Sequence, residues 1–125
     1  MSSTILIVDD SRTMRAMVRT ALEEDHHQVV EAADGVAALT VLAGAPADLV
    51  ITDVNMPEMD GLSLCRKLRA DGRQRGVPIL ILTTETSTAV KQMGREAGAT
   101  GWLVKPFQPE QLRQAVLHVL RRSPS

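Results

Sequence analysis

Five short apolar runs alternate with five amphipathic stretches along this chain, and the alternation restricts the fold more than any other feature. The runs are Thr4–Val8, Gln28–Glu31, Leu49–Thr52, Pro78–Leu82 and Trp102–Val104. Runs this short, bounded by turn residues, predict strands, and nearly all-apolar ones suit a sheet covered on both faces. Arg12–Glu24 places Met14, Met17, Val18, Ala21 and Leu22 on one helical face, with Ser11 as N-cap. The last helix repeats that spacing with Leu112, Ala115, Val116, Val119 and Leu120. Pro109 fits its first turn, and Arg121 and Arg122 suit its C-terminal dipole end. Weaker patterns predict helices over Asp34–Ala43, Gly61–Arg69 and Ser87–Ala97, with Gly98 as a stop. Strands alternating with helices imply right-handed crossovers and a parallel sheet, a doubly wound α/β fold. Ligands of such sheets bind beyond the carboxyl ends of the strands.

Composition narrows the function. The 125 residues suit one domain, and 44% hydrophobic residues can build a core. With 14 Lys and Arg against 15 Asp and Glu, the net charge of -1 argues against nucleic-acid binding, which needs a basic face. One Trp, one Phe and no Tyr disfavour a site built on aromatic stacking. A single cysteine excludes an internal disulfide, and Cys65, in the pattern Leu62, Cys65, Leu68, reads as a small buried hydrophobe. The N-terminus lacks a basic region followed by a long apolar run, and no stretch approaches the roughly 20 apolar residues of a membrane span. A cytoplasmic protein with no membrane partner is the expectation. His26 and His27 have no third ligand nearby and read as a solvated loop rather than a zinc site. His118 lies opposite the apolar face of the last helix, and "GRQRG", Gly72 to Gly76, reads as a solvated loop.

The chemistry gathers where the strands stop. The first ends at Asp9-Asp10, the third at Asp53, the fourth at Thr83 and the fifth at Lys105. Singly, an Asp or Thr there is a turn former or cap, and Lys105 a solvated charge. Together they put three carboxylates, a hydroxyl and an ammonium on one rim of one sheet. Two unit charges about 4 Å apart repel by roughly 4 kcal/mol at an effective dielectric of 20. Lys105 offsets only part of three negatives. A hard divalent cation is the natural remainder, and an all-oxygen site points to Mg²⁺. A carboxylate beside Mg²⁺ and a lysine is also a place to accept a phosphoryl group.

The stretches "ILIVDDS", "ITDVNMPEMDG", "ILILTTE" and "GWLVKPF" resemble, in order and spacing, the four motifs of response-regulator receiver domains. The resemblance covers essentially the whole chain. "DDSRTMR" and Asn55, two residues after Asp53, resemble the single-domain chemotaxis regulators of the CheY type. The resemblance implies a flavodoxin-like sheet of five parallel strands in order 2-1-3-4-5 with five helices. It implies that Asp53 is the phosphoacceptor and that Asp10, Asp53 and the backbone carbonyl of Asn55 bind Mg²⁺. Asp9 would help through a water or hydrogen bond. Lys105 would pair with Asp53 and then with the phosphoryl oxygens, and the Thr83 hydroxyl would turn to bond the new phosphate. Asn55 and Glu85 would flank the path of the hydrolytic water. Trp102 stands where the family usually has a Tyr or Phe that changes rotamer on activation. The resemblance also implies a cis Lys105–Pro106 bond.

The implied partners are a histidine kinase of the chemotaxis type and a flagellar motor switch protein, with the chain a monomer. Because the sequence stops at "SPS" soon after Arg122, residues 1–125 read as one receiver domain with no output domain. No enzyme is expected beyond self-phosphorylation from phosphodonors and autodephosphorylation. A phosphate sink with no motor output uses the same residues and remains open. A Mg²⁺-dependent phosphohydrolase with an aspartyl nucleophile needs a second acid two residues beyond it, where this chain has Asn55. A dinucleotide binder is weaker still, since no G-x-G-x-x-G follows the first strand.

Overall fold

The computed structural model describes residues 3–122, so the closing "SPS" lies outside the described residues, as does the side chain of Arg122. The elements alternate without exception: β1 (Thr4–Val8), α1 (Arg12–Glu23), β2 (Gln28–Ala32), α2 (Gly35–Gly44), β3 (Leu49–Asp53), α3 (Gly61–Ala70), β4 (Ile79–Thr83), α4 (Thr88–Ala97), β5 (Gly101–Val104) and α5 (Pro109–Arg122). All strand pairs are parallel, in the order β2-β1-β3-β4-β5.

Why the central strands are so apolar follows from their two covered faces. Leu6, Val8, Val50, Ile79 and Ile81 point to one side and meet Ala38, Leu42, Leu64, Leu68 and Ala97 from α2, α3 and α4. Ile5, Ile7, Leu49, Ile51, Leu80 and Leu82 point to the other and meet Val18, Leu22, Leu112, Val116 and Val119 from α1 and α5. Successive strand residues alternate faces, so each run fills two cores at once. β2, at the edge, is the strand with a polar alternation.

Capping sets the helix starts. Ser11, Asp34, Asp60 and Ser87 each accept a hydrogen bond from a backbone N–H three residues on. At α5 the Gln111 side chain accepts from the Gln108 N–H, at 2.7 Å. Gly98 ends α4 at φ 100, a left-handed position that glycine adopts without strain.

β4 begins at Ile79, not Pro78, because proline has no N–H for the ladder, although its carbonyl still accepts from Val50 N at 3.0 Å. The loop from Gly72 to Gly76 is not wholly solvated. Gln74 is buried, and its Nε2 donates to the Leu42 carbonyl, tying the loop to the C-terminal turn of α2. Cys65 is fully buried, and burial pushes its thiol up, so it packs rather than reacts. Among the described residues no helix is long and apolar enough to cross a membrane.

Candidate functional site

The parallel register levels the strand ends. Val8 lies opposite Thr52, Asp53 opposite Leu82, and Thr83 opposite Val104. The residues that follow β1 and β5 and the last residue of β3 therefore meet above one edge. One oxygen from each of Asp9, Asp10 and Asp53 can lie within 4.8 Å of the others. Lys105 Nζ enters this group 3.1 Å from Asp9 Oδ2 and 3.4 Å from Asp53 Oδ1. The expected pairing with Asp53 is present, and the contact to Asp9 is the shorter of the two. Lys105 is placed by its own N–H, which donates to the Thr83 carbonyl at 2.8 Å, and the Lys105–Pro106 bond that follows is cis.

Each acid is held differently. Asp9 is buried. Its Oδ1 accepts from Ser11 N at 2.9 Å, and its carbonyl accepts from Arg15 Nη1 at 2.6 Å. Asp10 is exposed at the start of the turn. Asp53 is half-buried, and its Oδ1 accepts from Val54 N at 2.8 Å. Burial, more than any other cause, pushes the Asp53 carboxyl above its ordinary value. Asp9 adds to the rise, while Lys105 and the Val54 N–H pull it back. The rim thus holds more negative charge than one ammonium relieves.

Behind Asp53 the chain makes a tight turn. Glu58 has φ 67, Met59 N donates to the Pro57 carbonyl at 2.7 Å, and Gly61 N donates to the Val54 carbonyl at 2.8 Å. A Cβ on Gly61 would overlap the Asp53 carbonyl oxygen, so only glycine lets α3 start this close to the site. Nothing local in "PEMDG" reports this demand, because the atom that imposes it lies eight residues back.

Thr83 is fully buried at the end of β4, and its Oγ1 accepts from Glu85 N at 3.0 Å. The hydroxyl proton therefore remains free to donate. Asn55 and Glu85 are exposed on the loops after β3 and β4. Trp102 is not part of the acidic group. It pairs with Ile81, two residues before Thr83, and its ring lies against α4 where Gly94 has no side chain. Among the described residues its buried Nε1 has no hydrogen-bond partner.

The donor set is oxygen only, negatively charged and preassembled, which fits a hard divalent cation such as Mg²⁺ and not a soft metal. Arg15, which holds the Asp9 carbonyl, and Glu31, which accepts from Arg15 Nε at 2.9 Å, do not stand out as site residues in the sequence. The signal for them was Glu31 itself, a carboxylate inside the otherwise apolar run "VVEA".

Known proteins share this architecture. The chain is 42% identical over 123 residues to the response regulator MprA of Mycobacterium bovis, covering 98% of this chain and 53% of that protein. It therefore spans about half the length of the curated relatives it matches. Among solved structures, the chemotaxis protein CheY4 of Vibrio cholerae is 44% identical with a TM-score of 0.91, covering 95% of this chain and 99% of that one. The receiver domain of the sensor histidine kinase PA1611 of Pseudomonas aeruginosa, 26% identical with a TM-score of 0.88, covers 97% and 99%. That structure holds a magnesium ion coordinated in its active-site cleft. The family model of the response regulator receiver domain matches residues 5–117, and with the acidic group and its lysine at the rim of a 2-1-3-4-5 sheet, the chain belongs to that family.

Proposed function

We propose that Asp53 accepts a phosphoryl group from the phosphohistidine of a histidine kinase, in a reaction that depends on Mg²⁺ at Asp9, Asp10 and Asp53 and at the backbone carbonyl of Asn55. The observation that carries this reading is the half-buried Asp53 carboxylate, grouped with Asp9 and Asp10 and 3.4 Å from the Lys105 ammonium. The Asp53 oxygen attacks phosphorus, a P–O bond forms, and the P–N bond breaks with its electron pair leaving on the imidazole. Bound Mg²⁺ would supply positive charge to offset that on the transferring oxygens. Lys105 is placed to take up contact with them, and Thr83 to donate its free proton to one. Asn55 and Glu85, exposed beside the rim, flank the approach of the water that later hydrolyses the acyl phosphate. No separate substrate is turned over. Asn55 stands where a phosphohydrolase would need a second acid, which argues against that rival.

The phosphorylated chain acts by binding another protein. Its similarity to CheY4 over nearly the whole of both chains supports chemotaxis output, with a flagellar motor switch protein as partner. The test is phosphotransfer from a labelled chemotaxis-type histidine kinase, followed by switch-protein binding with and without a beryllofluoride phosphoryl mimic. Label should reach the wild type and not Asp53→Asn. Full label on Asp53→Asn would mean that another group is the acceptor. Transfer without mimic-dependent binding would leave a phosphate sink in place of motor output.

A further inference from the structure

Asp9 has every polar group engaged, and one of the bonds reaches beyond the site. Its N–H donates to the Ala32 carbonyl at 3.1 Å, and its carboxylate is shared by Ser11 N and Lys105. Its carbonyl takes the Arg15 guanidinium at 2.6 Å. That carbonyl belongs to the peptide unit joining Asp9 to Asp10. The plane of this unit sets the direction in which Asp10, exposed on the turn, leaves the backbone.

Arg15 is itself held. Its Nε donates to Glu31 Oε1 at 2.9 Å, and its side chain is only 15% exposed. Glu31 Oε2 is taken by Arg19 at 2.7 Å, and Arg19 reaches Glu23 at 3.2 Å. A ladder of alternating charges thus runs along α1 and across β2, and it ends on a backbone carbonyl between two acids. Glu31 also neutralises a cation that would otherwise stand unscreened beside the acidic group.

We infer that Arg15, locked by Glu31, is a positioning residue that aims the Asp10 carboxylate for the divalent cation by fixing the Asp9–Asp10 peptide. The inference rests on the reading of Asp9, Asp10 and Asp53 as a Mg²⁺ site. Groups behind metal ligands often matter about tenfold in affinity. Removing a cation beside an acidic site would, by charge alone, tighten Mg²⁺ binding. Positioning predicts the opposite, so the two accounts separate by sign.

The experiment titrates Mg²⁺ alone into wild type, Arg15→Ala, Arg15→Lys and Glu31→Gln by calorimetry. It also records the Asp10 amide resonance of each metal-free protein by ¹⁵N NMR. Arg15→Ala should bind Mg²⁺ about tenfold more weakly. Its Asp10 amide should shift or broaden while the Val54 amide stays in place. Arg15→Lys, which keeps one donor and the charge, should recover part of the loss. Glu31→Gln, which keeps an acceptor for one arginine, should fall between. Unchanged or tighter binding in Arg15→Ala, or an unmoved Asp10 amide, overturns the positioning role while leaving the metal site standing. If the wild type binds no Mg²⁺, the reading of the site fails and the inference fails with it. If Arg15→Ala does not fold, Arg15→Gln, which also removes the charge but keeps more of the side chain's length, decides by the same two readouts.

Discussion

Lys105 Nζ pairs with Asp9 Oδ2 at 3.1 Å, joining the end of β5 to the end of β1 across β4 and the strand that carries Asp53, β3. The ammonium thus lies nearer to Asp9 than to the proposed acceptor. Asp53 receives incomplete compensation, and its carboxyl sits above the ordinary value because burial and Asp9 outweigh Lys105. In the metal-free protein this is a store of unfavourable energy that an incoming cation can release.

The store should show in the pH dependence of stability. A carboxyl whose folded pKa exceeds its unfolded one opposes folding above the folded pKa and has no effect below the unfolded one. Asp53→Asn should therefore raise Tm at neutral pH in the absence of divalent metal. The gain should shrink as pH falls through the raised pKa and vanish below the ordinary carboxylate range. Adding Mg²⁺ should narrow the gap by stabilising the wild type alone. A thermal scan of both proteins from pH 3 to pH 8 checks this, and a gain that is flat across that range contradicts it.

Asp10→Ala should lose far more Mg²⁺ affinity than Asp34→Ala. Asp34 is also an acid after a strand, but its carboxylate caps α2 by accepting from Ala37 N at 2.8 Å. Its loss should cost about 1 kcal/mol of stability and leave metal binding intact. Isothermal titration with a urea melt of each variant separates the two effects. Equal losses of affinity would remove the metal-site reading.

Gly61→Ala should damage both fold and site. The added Cβ would overlap the Asp53 carbonyl oxygen, so either α3 or the end of β3 must move. Forced overpacking of this kind costs about 1–3 kcal/mol, more than the helix propensity that alanine gains at the first position of α3. Urea melts should show the loss, and phosphorylation by a small phosphodonor should slow because the Asp53 backbone shifts. A variant as stable and as reactive as the wild type would show that the turn yields freely.

The strand and helix order was legible because the strands are apolar runs, the first and last helices have a strong period, and the cap Ser11 stands in plain view; the three middle helices show only weaker patterns. The acidic rim was legible because parallel strands bring their ends level, so charges after strands must meet. What was hidden depends on contacts between distant segments. Gln74 sits in a Gly- and Arg-rich loop, and nothing local shows that its amide satisfies the Leu42 carbonyl. Arg69 looks like one more charge at the end of α3. In the fold it donates to the carbonyls of Gly98 and Val77, fastening α3 to the segments before β4 and β5. Gly61 is demanded by a backbone atom eight positions away, which no periodicity reports.

The remaining prediction concerns how the phosphoryl state reaches the surface around Trp102. Thr83 Oγ1 accepts from Glu85 N, so the hydroxyl already holds the first residues of the β4–α4 loop. A phosphoryl group on Asp53 adds acceptor oxygens, and Thr83 should turn its free proton toward one, drawing that loop inward. Trp102 lies on the next strand with its ring against Gly94 of α4. Movement of α4 must therefore alter the ring's surroundings. The new contacts are one hydroxyl bond and one ammonium pair, together a few kcal/mol, enough to shift a two-state population but not to refold the domain. Because Trp102 is the only tryptophan, its emission reports the change directly. In Mg²⁺, beryllofluoride should shift the emission of the wild type and leave Thr83→Ala largely unresponsive. In Gly94→Ala the added Cβ would lie 2.6 Å from Trp102 Cζ3, so the ring must tilt and the emission should differ before any phosphoryl mimic is added. An equal beryllofluoride response in wild type and Thr83→Ala would mean that the signal leaves Asp53 by a route that bypasses Thr83.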